Sequence, residues 1–251
     1  VFGVVLGTLI ASYFTAILFS IYTYRFILKR FQIKPSFQGI INPPKIIKLV
    51  TINFDIFVRT VVLTFSFLWI SYLGSKLGED YLAVNTILIQ FLVFTSFFLD
   101  AYAYSTEGII GYAYGRKNKK SFLSIIKNSI QLSFFTSLII SLFFLFLFKN
   151  VVNIVTDVDI LRFISYKHAF WIIILPPIAS FCYQLDGIFI GTSKTKEMRN
   201  AMLLSATSFV LISIYLTDYL GNHGLWISII FFMILRSLTL NLFLNQIIKK
   251  F

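Results

Sequence analysis

The sequence predicts an all-α membrane protein, a bundle of seven transmembrane helices. Hydrophobic residues make up 58% of the 251 residues and charged residues only 13%, whereas a soluble domain carries about 25% charged residues. The thirty Phe and thirteen Tyr residues fit lipid-facing and interfacial positions. Most basic residues stand in the breaks between long apolar runs. This arrangement is typical of a chain that crosses a bilayer several times.

Seven apolar runs are each long enough to cross a bilayer, which takes about 20 helical residues. Their approximate bounds are Phe2 to Tyr24, Phe54 to Leu73, Leu82 to Tyr112, Phe122 to Phe148, Tyr166 to Ile190, Ala201 to Leu220 and Leu225 to Ile247. The runs lack the alternation of polar and apolar residues that marks barrel strands, so helices are predicted. The third and fourth runs exceed the required length and are expected to tilt or to project past the membrane.

The Lys and Arg residues predict the orientation, because basic residues are concentrated in cytoplasmic loops. One set of loops, together with the C-terminus, holds sixteen Lys and Arg residues, and the other set holds four. The C-terminus is therefore predicted to be cytoplasmic, which places the N-terminus on the opposite side. The same distribution argues against nucleic-acid binding despite the formal net charge of +12, because such binding needs a basic face on a soluble fold.

The first span stands apart from the other six. It begins directly within an apolar run and has no signal-peptide charge pattern, so we expect residues upstream and interpret 1–24 as an internal helix. Residues 25–53 contain Asn42-Pro43-Pro44 and six basic residues and are predicted to form a cytoplasmic connector. Residues 54–251 then form a compact six-helix unit.

Three carboxylates inside the apolar runs are candidate functional groups, because an ionisable side chain in a membrane is costly. Asp100 is expected near mid-bilayer, and Glu107 and Asp186 near the cytoplasmic end. Two arginines are candidate partners, because pairing removes most of the penalty of a buried charge. We expect Asp100 to interact with Arg236, and we expect Arg59, Glu107 and Asp186 to form an inner cluster.

Each of these carboxylates also has a simpler interpretation, as a structural group that is hydrogen-bonded or paired between helices. Arg59 can pair with Asp55, which lies four residues earlier on the same helix.

If Asp186 titrates during transport, the Asp186→Asn variant should lose pH-driven exchange while its folded abundance stays near normal. Unchanged exchange would leave Asp186 with a structural role only.

Small and polar residues supply further candidates. Two glycine pairs at four-residue spacing, Gly111 with Gly115 and Gly187 with Gly191, predict close packing of helices. The Pro176-Pro177 pair interrupts the fifth run near its centre and is a candidate hinge, because such a break frees backbone carbonyls. Three further polar residues are expected either to line a cavity or to bind neighbouring helices: Gln90, Tyr183 and Gln184.

Residues for catalysis or metal binding are not gathered in any recognised pattern. Neither His168 nor His223 has Cys, His or carboxylate neighbours at metal-ligand spacing. No Ser-His-Asp arrangement, phosphate-binding loop or dinucleotide-binding glycine pattern is present. The single cysteine, Cys182, is interpreted as a small buried hydrophobe. The sequence therefore favours a protein that is not an enzyme and that needs neither a metal nor a cofactor.

Four segments resemble the DinF-like branch of the multidrug and toxic compound extrusion (MATE) transporters. They are NFDIFVRTVVLTFSF (53–67), FFLDAYAYSTEGIIGYAYGRKN (97–118), QLDGIFIGTSKTKEMRNAM (184–202) and LGNHGLWISIIFFMILRSLTL (220–240). The resemblance covers nearly the whole chain in order. It implies a twelve-helix protein with two six-helix lobes, in which 1–24 matches the last helix of the N-lobe and 54–251 the complete C-lobe.

The resemblance also implies a function. Members of the family export amphipathic, often cationic compounds in exchange for protons or sodium ions, and they alternate between outward-open and inward-open states. Asp186 matches the acidic position of the family's tenth-helix motif. The proton-coupling aspartate of DinF-like members is generally placed on the first helix of the N-lobe, so Asp186 is expected to serve in gating or in auxiliary cation binding.

Three functions stay open on the sequence. The first is a multidrug exporter of the bacterial cytoplasmic (inner) membrane, with small amphipathic or cationic substrates and the N-terminal lobe of the same polypeptide as its partner. The second is a flippase of related fold for lipid-linked oligosaccharides or peptidoglycan precursors. A flippase would need basic residues in its cavity to bind pyrophosphate, and three intramembrane acids against two arginines argue weakly against it. The third is a membrane scaffold that does not transport.

Overall fold

The computed structural model describes residues 2–28 and 42–249. Those residues are almost entirely helical and include no strand, which confirms the all-α prediction. The chain divides into two compact units, residues 1–50 and residues 51–251. The domain boundaries inferred from the sequence stay a prediction, and residues 29–41 of the expected connector lie outside the described part of the chain.

The first unit contains helix α1, Phe2–Tyr22, which continues as a short π-helical segment, Thr23–Leu28. Helix α2, Pro43–Leu77, begins in this unit and ends in the second. It starts eleven residues before the predicted second span, so the last part of the expected connector is helical rather than irregular.

The early start of α2 follows from its first residues. The backbone oxygen of Asn42 accepts hydrogen bonds from the amides of Lys45 and Ile46, each at 3.0 Å, and its side-chain Oδ1 lies 3.4 Å from the Lys45 nitrogen. Prolines are tolerated in the first helical turn because amides there have no helical acceptor. The Pro43-Pro44 pair therefore begins the helix instead of breaking it.

Five further helices complete the second unit. They are α3 (Glu79–Gly115), α4 (Lys119–Val155), α5 (Asp159–Gly191), α6 (Thr195–Leu220) and α7 (Asn222–Lys249). Among the described residues, seven helices are long and apolar enough to cross a membrane. Helices α3 and α4 have 37 residues each, about 55 Å at 1.5 Å per residue, so they exceed a hydrocarbon core of about 30 Å.

Helix α5 is the central helix of the second unit. It packs against α3, α4 and α7, while α6 pairs mainly with α7. In its most apolar stretch 67% of the residues are buried, the largest share among the described helices. Residues on α5 therefore face protein on several sides, and a charged residue there meets other helices rather than lipid.

The buried hydrophobic residues of this unit form two clusters. The first cluster includes Leu99 of α3, Cys182 of α5 and Met233 of α7. The second begins farther along the same helices, with Ile110, Leu185 and Leu240 among its members. Near the boundary between the two clusters lie buried polar residues that we call the polar layer: Thr106, Gln184, Asp186 and Arg236.

Glycines allow α3 and α5 to approach closely. A Cβ atom added at Gly187 would lie 2.5 Å from the carbonyl oxygen of Ala103, and one at Gly191 would lie 2.4 Å from that of Glu107. A Cβ atom added at Gly111 would lie 2.8 Å from the carbonyl oxygen of Gly191. Gly115 does not share this packing, because no described atom lies within 4 Å of its Cβ position: it ends α3 beyond the contact.

Candidate ion-coupling site

Asp186 lies at the centre of the polar layer and binds two arginines. Arg59 of α2 and Arg236 of α7 both donate to its Oδ2 atom. The side chains of Asp186 and Arg236 are only 6% and 2% exposed, and that of Arg59 is 18% exposed. One carboxylate oxygen of Asp186 on α5 thus connects α2, α5 and α7. Breaking either contact would leave a largely buried charge without its partner, which is costly.

The other oxygen of Asp186 is left open. Oδ1 is buried and has no hydrogen-bond partner among the described residues, and the same holds for Nε of Arg59. A buried acceptor without a partner costs free energy. The site therefore combines a doubly paired carboxylate oxygen with a second oxygen that has no partner among the described residues.

Asp100 is the fourth charged residue of this region. It is half-buried and lies within electrostatic range of Arg59, Asp186 and Arg236. The expected Asp100–Arg236 ion pair is not formed, because Arg236 binds Asp186 instead. Two acids and two arginines balance in charge, and Asp100 is the member that has no direct ion pair in the described part of the chain.

Glu107 does not join the cluster in which it was expected. It is half-buried and makes no ion pair with any described residue. Its place on α3 is set by the contact with α5, where its backbone oxygen faces Gly191. The side chain of Glu107 therefore lies apart from the Asp186 ion pairs.

A second ion pair ties α2 to the start of α6. Buried Asp55 accepts a hydrogen bond from Nη1 of Arg199 at 2.6 Å and another from Oγ1 of Thr195 at 3.0 Å. Arg59, whose four-residue spacing would also allow a pair with Asp55, contacts Asp186, as expected for the inner cluster. The sequence offered Arg199 only as one of several loop charges, so its pairing with a residue 144 positions away was missed.

Gln184 lies in the same layer, two residues before Asp186. It is fully buried, and its Oε1 accepts a hydrogen bond from Oγ1 of Thr106 at 3.0 Å, while its Nε2 has no partner among the described residues. Tyr183 is half-buried and packs against the first hydrophobic cluster. Thr106 was missed from the sequence, because a threonine in an apolar span is common and carries no signal by itself.

Gln90 lines two cavities instead of joining the polar layer. One, about 260 Å³, lies between α2 and α3 and is lined by four polar residues, Thr64, Ser71, Thr86 and Gln90, together with four apolar ones. The other, about 280 Å³, lies between α3 and α4 and is mainly apolar and aromatic. The α2–α3 cavity is the more polar of the two.

A further polar network was not foreseen. Near the junction of α6 and α7, Nδ2 of Asn85 donates to Oδ1 of Asn222 at 2.7 Å, and Nε1 of the buried Trp226 donates to Oδ1 of Asn85 at 3.0 Å. This network connects α3 to α7.

No group of three or more His, Cys, Asp and Glu side chains suited to a metal ion occurs among the described residues.

Comparison with known proteins decides the family of this bundle. Residues 56–217, more than half of the chain, match the family model described as MatE. The chain belongs to the MatE family. The DNA damage-inducible protein F of Escherichia coli (strain K12) is 34% identical over 238 residues, which are 95% of this chain and 51% of that relative. The resemblance to MATE transporters in the four sequence segments is thus confirmed.

Solved structures of MATE proteins share the fold. A MATE protein crystallised in complex with MaL6 matches with a TM-score of 0.80 at 16% identity, over 92% of this chain and 53% of that one. The outward-facing and inward-facing conformations of a multidrug resistance MATE family transporter of the MOP superfamily match with TM-scores of 0.72 and 0.69, both at 16% identity. They cover 78% and 77% of this chain and 44% and 46% of theirs. This MatE chain spans about half the length of the relatives it matches.

Proposed function

We propose that this chain forms the C-terminal lobe, with one preceding helix, of a secondary active exporter. The transporter would move amphipathic or cationic compounds out of a bacterial cell in exchange for protons or sodium ions. The observation that carries the proposal is the buried Asp186, bound on one oxygen by Arg59 and Arg236 and open on the other, within a MatE-family bundle. An ionisable group in this position inside a membrane protein is a functional candidate by default.

The geometry suggests how cation binding would move helices. When Asp186 is ionised, its charge holds Arg59 of α2 and Arg236 of α7 against α5. A proton or a sodium ion on Asp186 would cancel part of that charge and weaken both contacts. A ligand shifts a conformational equilibrium only through its different affinity for the two states, and this change in ion pairing supplies such a difference.

The proposed substrate class rests on two features. The α2–α3 cavity offers both polar and apolar groups, which suits an amphipathic molecule. Glu107 is half-buried and forms no ion pair with described residues, so its carboxylate is available to attract a cationic group. The second lobe that such a transporter requires would come from the same polypeptide, and the half-length match to the relatives supports that arrangement.

The orientation proposed for the lobe places the C-terminus in the cytoplasm. Its support is the excess of Lys and Arg in the loops α3–α4 and α5–α6 and at the C-terminus. The E. coli relative supports a bacterial cytoplasmic membrane as the location. In this orientation Asp55 and Arg199 lie on the cytoplasmic side of Asp186.

The flippase alternative is less well supported by the site. Binding a pyrophosphate group would need free basic residues inside the bundle. Arg59 and Arg236 are both engaged by Asp186, and Asp100 balances the remaining positive charge. No observation on the described residues specifically favours the scaffold alternative.

Reconstitution of the complete gene product in liposomes tests the proposal. Proton and sodium gradients are imposed separately, and efflux of a fluorescent organic cation is followed, with protein-free liposomes and an ionophore that collapses the gradient as controls. We expect one of the two gradients to accelerate efflux. Efflux that responds to neither gradient would contradict the exporter, and scrambling of a fluorescent lipid-linked pyrophosphate without a gradient would favour the flippase.

A further inference from the structure

Helix α5 contains a backbone acceptor that its own helix cannot satisfy. In an α-helix each carbonyl oxygen accepts from the amide four residues later. The residue four positions after Ile173 is Pro177, which has no amide hydrogen. The carbonyl of Ile173 therefore needs a donor from elsewhere, because an unpaired carbonyl inside a membrane costs free energy.

The neighbouring helix α4 supplies that donor. Oγ of Ser141 donates to the carbonyl oxygen of Ile173 at 2.5 Å, across the contact between α4 and α5. Most serine hydroxyls in these helices donate to a carbonyl in their own helix, as Ser137 does to Phe134 at 2.6 Å. Ser141 differs, because its hydroxyl replaces the missing helical hydrogen bond of a different helix.

The packing near Pro177 combines a fixed contact with free volume. The Ser141 hydrogen bond joins α4 to α5. Pro177 also lines a cavity of about 530 Å³, together with Phe134 of α4, Phe181 of α5 and Leu238 of α7 among others. A fixed contact next to free volume is the arrangement that allows one helical segment to pivot about a point.

The segment beyond the proline carries the candidate site. Asp186 lies nine residues after Pro177, about 14 Å along the helix. Through Asp186 the segment is tied to α2 and α7, and through Gly187 and Gly191 it packs closely against α3. A small rotation at Pro177 would therefore displace the carboxylate relative to Arg59 and Arg236.

We infer that Ser141 is a positioning residue: its hydrogen bond to Ile173 fixes the pivot about which the Asp186-bearing segment of α5 moves during transport. The inference rests on the proposed exporter function for its role in transport. The joint itself, formed by Ser141, Ile173 and Pro177, can be tested without transport. Three variants of the complete gene product separate the two parts: Ser141→Ala, Pro177→Ala and the double variant.

The first measurement is independent of transport. Spin labels placed at the exposed positions Lys120 and Ser193, in a Cys182→Ser background, report the distance between the ends of α4 and α5 by electron paramagnetic resonance. We expect Ser141→Ala to broaden this distance distribution. In the Pro177→Ala background the restored amide can bond to Ile173, so Ser141→Ala should cause no further change there.

The second measurement is gradient-driven efflux in liposomes. We expect Ser141→Ala to lower the maximal rate two- to tenfold, about the range that loss of one hydrogen bond supports, with the half-saturating substrate concentration changed less than about twofold. Ser137→Ala, which removes a buried hydroxyl one turn away, is the matched control and should behave like the parent. Ser141→Thr keeps a donor and should retain the rate, whereas Ser141→Val should resemble Ser141→Ala.

Two results would overturn the inference. One is a Ser141→Ala variant that matches Ser137→Ala in both the distance distribution and the rate. The other is a Ser141→Ala effect that is equally large with and without Pro177, because the hydroxyl would then act independently of the missing amide. If the parent protein shows no gradient-driven efflux, the proposed function fails, while the spin-label comparison still decides whether the joint exists.

Discussion

Asp186 and Arg236 form an ion pair between α5 and α7 that protein encloses almost completely, with side chains 6% and 2% exposed. Arg59 shares the same carboxylate oxygen from α2, so one acid organises two cations. Such a group is poorly explained by stability alone, because the desolvation of buried charges offsets much of their attraction. Its position within a transporter-family bundle fits a contact that is made and broken.

Removal of Arg236 should destabilise the lobe strongly. We expect Arg236→Met to lower the free energy of unfolding by about 3–5 kcal/mol, because Asp186 keeps a buried charge and loses one of its two donors. Thermal unfolding in detergent, followed by circular dichroism, measures the change. Asp157→Asn is the control: it removes a fully exposed partner of Arg162 and should leave the transition unchanged. Equal transitions for Arg236→Met and the parent would contradict the enclosed ion pair.

The Asp55–Arg199 pair should respond unequally to loss of its two members. Asp55 is 4% exposed and Arg199 is 24% exposed at the side chain. Arg199→Met removes the charged donor of a buried carboxylate that also accepts from Thr195, and we expect a loss of about 1–3 kcal/mol in unfolding free energy. Asp55→Ala leaves an arginine that can turn to water, so its cost should be smaller. Thermal unfolding in detergent compares the two variants. A larger loss of stability for Asp55→Ala than for Arg199→Met would contradict the assignment of the carboxylate as the more buried member of the pair.

The glycine contact between α3 and α5 gives a steric prediction. In Gly187→Ala the new methyl group would meet the backbone of Ala103 at 2.5 Å, so the helices must separate. Forced overpacking of this kind costs about 1–3 kcal/mol. Gly108→Ala is the matched control on α3, because no described atom lies within 4 Å of its Cβ position and Ala favours helix over Gly by roughly 1 kcal/mol. The midpoint of thermal unfolding in detergent is compared for the two variants. A lower midpoint for Gly108→Ala than for Gly187→Ala would contradict the close contact between Gly187 and Ala103.

The sequence was informative about features that the bilayer constrains directly: the length of the spans and the rarity of charged residues within them. The apolar runs predicted seven helices. The glycine spacing predicted close helix packing, which occurs at Gly111, Gly187 and Gly191 but not at Gly115, and it did not indicate which helices meet. The sequence also selected Asp186, Arg59 and Arg236, because charges in such runs are rare. These predictions depend on composition and on spacing within one helix.

Partner choice between helices could not be predicted in the same way. Depth was counted from the ends of the apolar runs, but α2 to α5 extend 33 to 37 residues and overshoot the bilayer. The count therefore placed Asp186 and Arg59 at a different level from Arg236, whereas all three meet in one ion-paired group. Arg59 contacts Asp186 as expected, but Glu107 does not join them. The partner of Asp55 is Arg199, which spacing within one helix could not indicate. Single hydroxyls such as that of Ser141 gave no signal, since serine is frequent in these spans and only the packed structure shows its acceptor.

The most direct test is the effect of Asp186→Asn on gradient-driven efflux in liposomes, normalised to the amount of folded protein. Asn keeps the shape of the side chain and one oxygen for an arginine, but it cannot take up a proton or offer a charge to sodium. Because loss of the charge also leaves Arg59 and Arg236 without their shared counter-ion, efflux must be compared per amount of folded protein. We expect gradient-driven efflux to fall at least about tenfold, while Asp157→Asn transports like the parent. Unchanged efflux by well-folded Asp186→Asn would contradict a coupling role for this site.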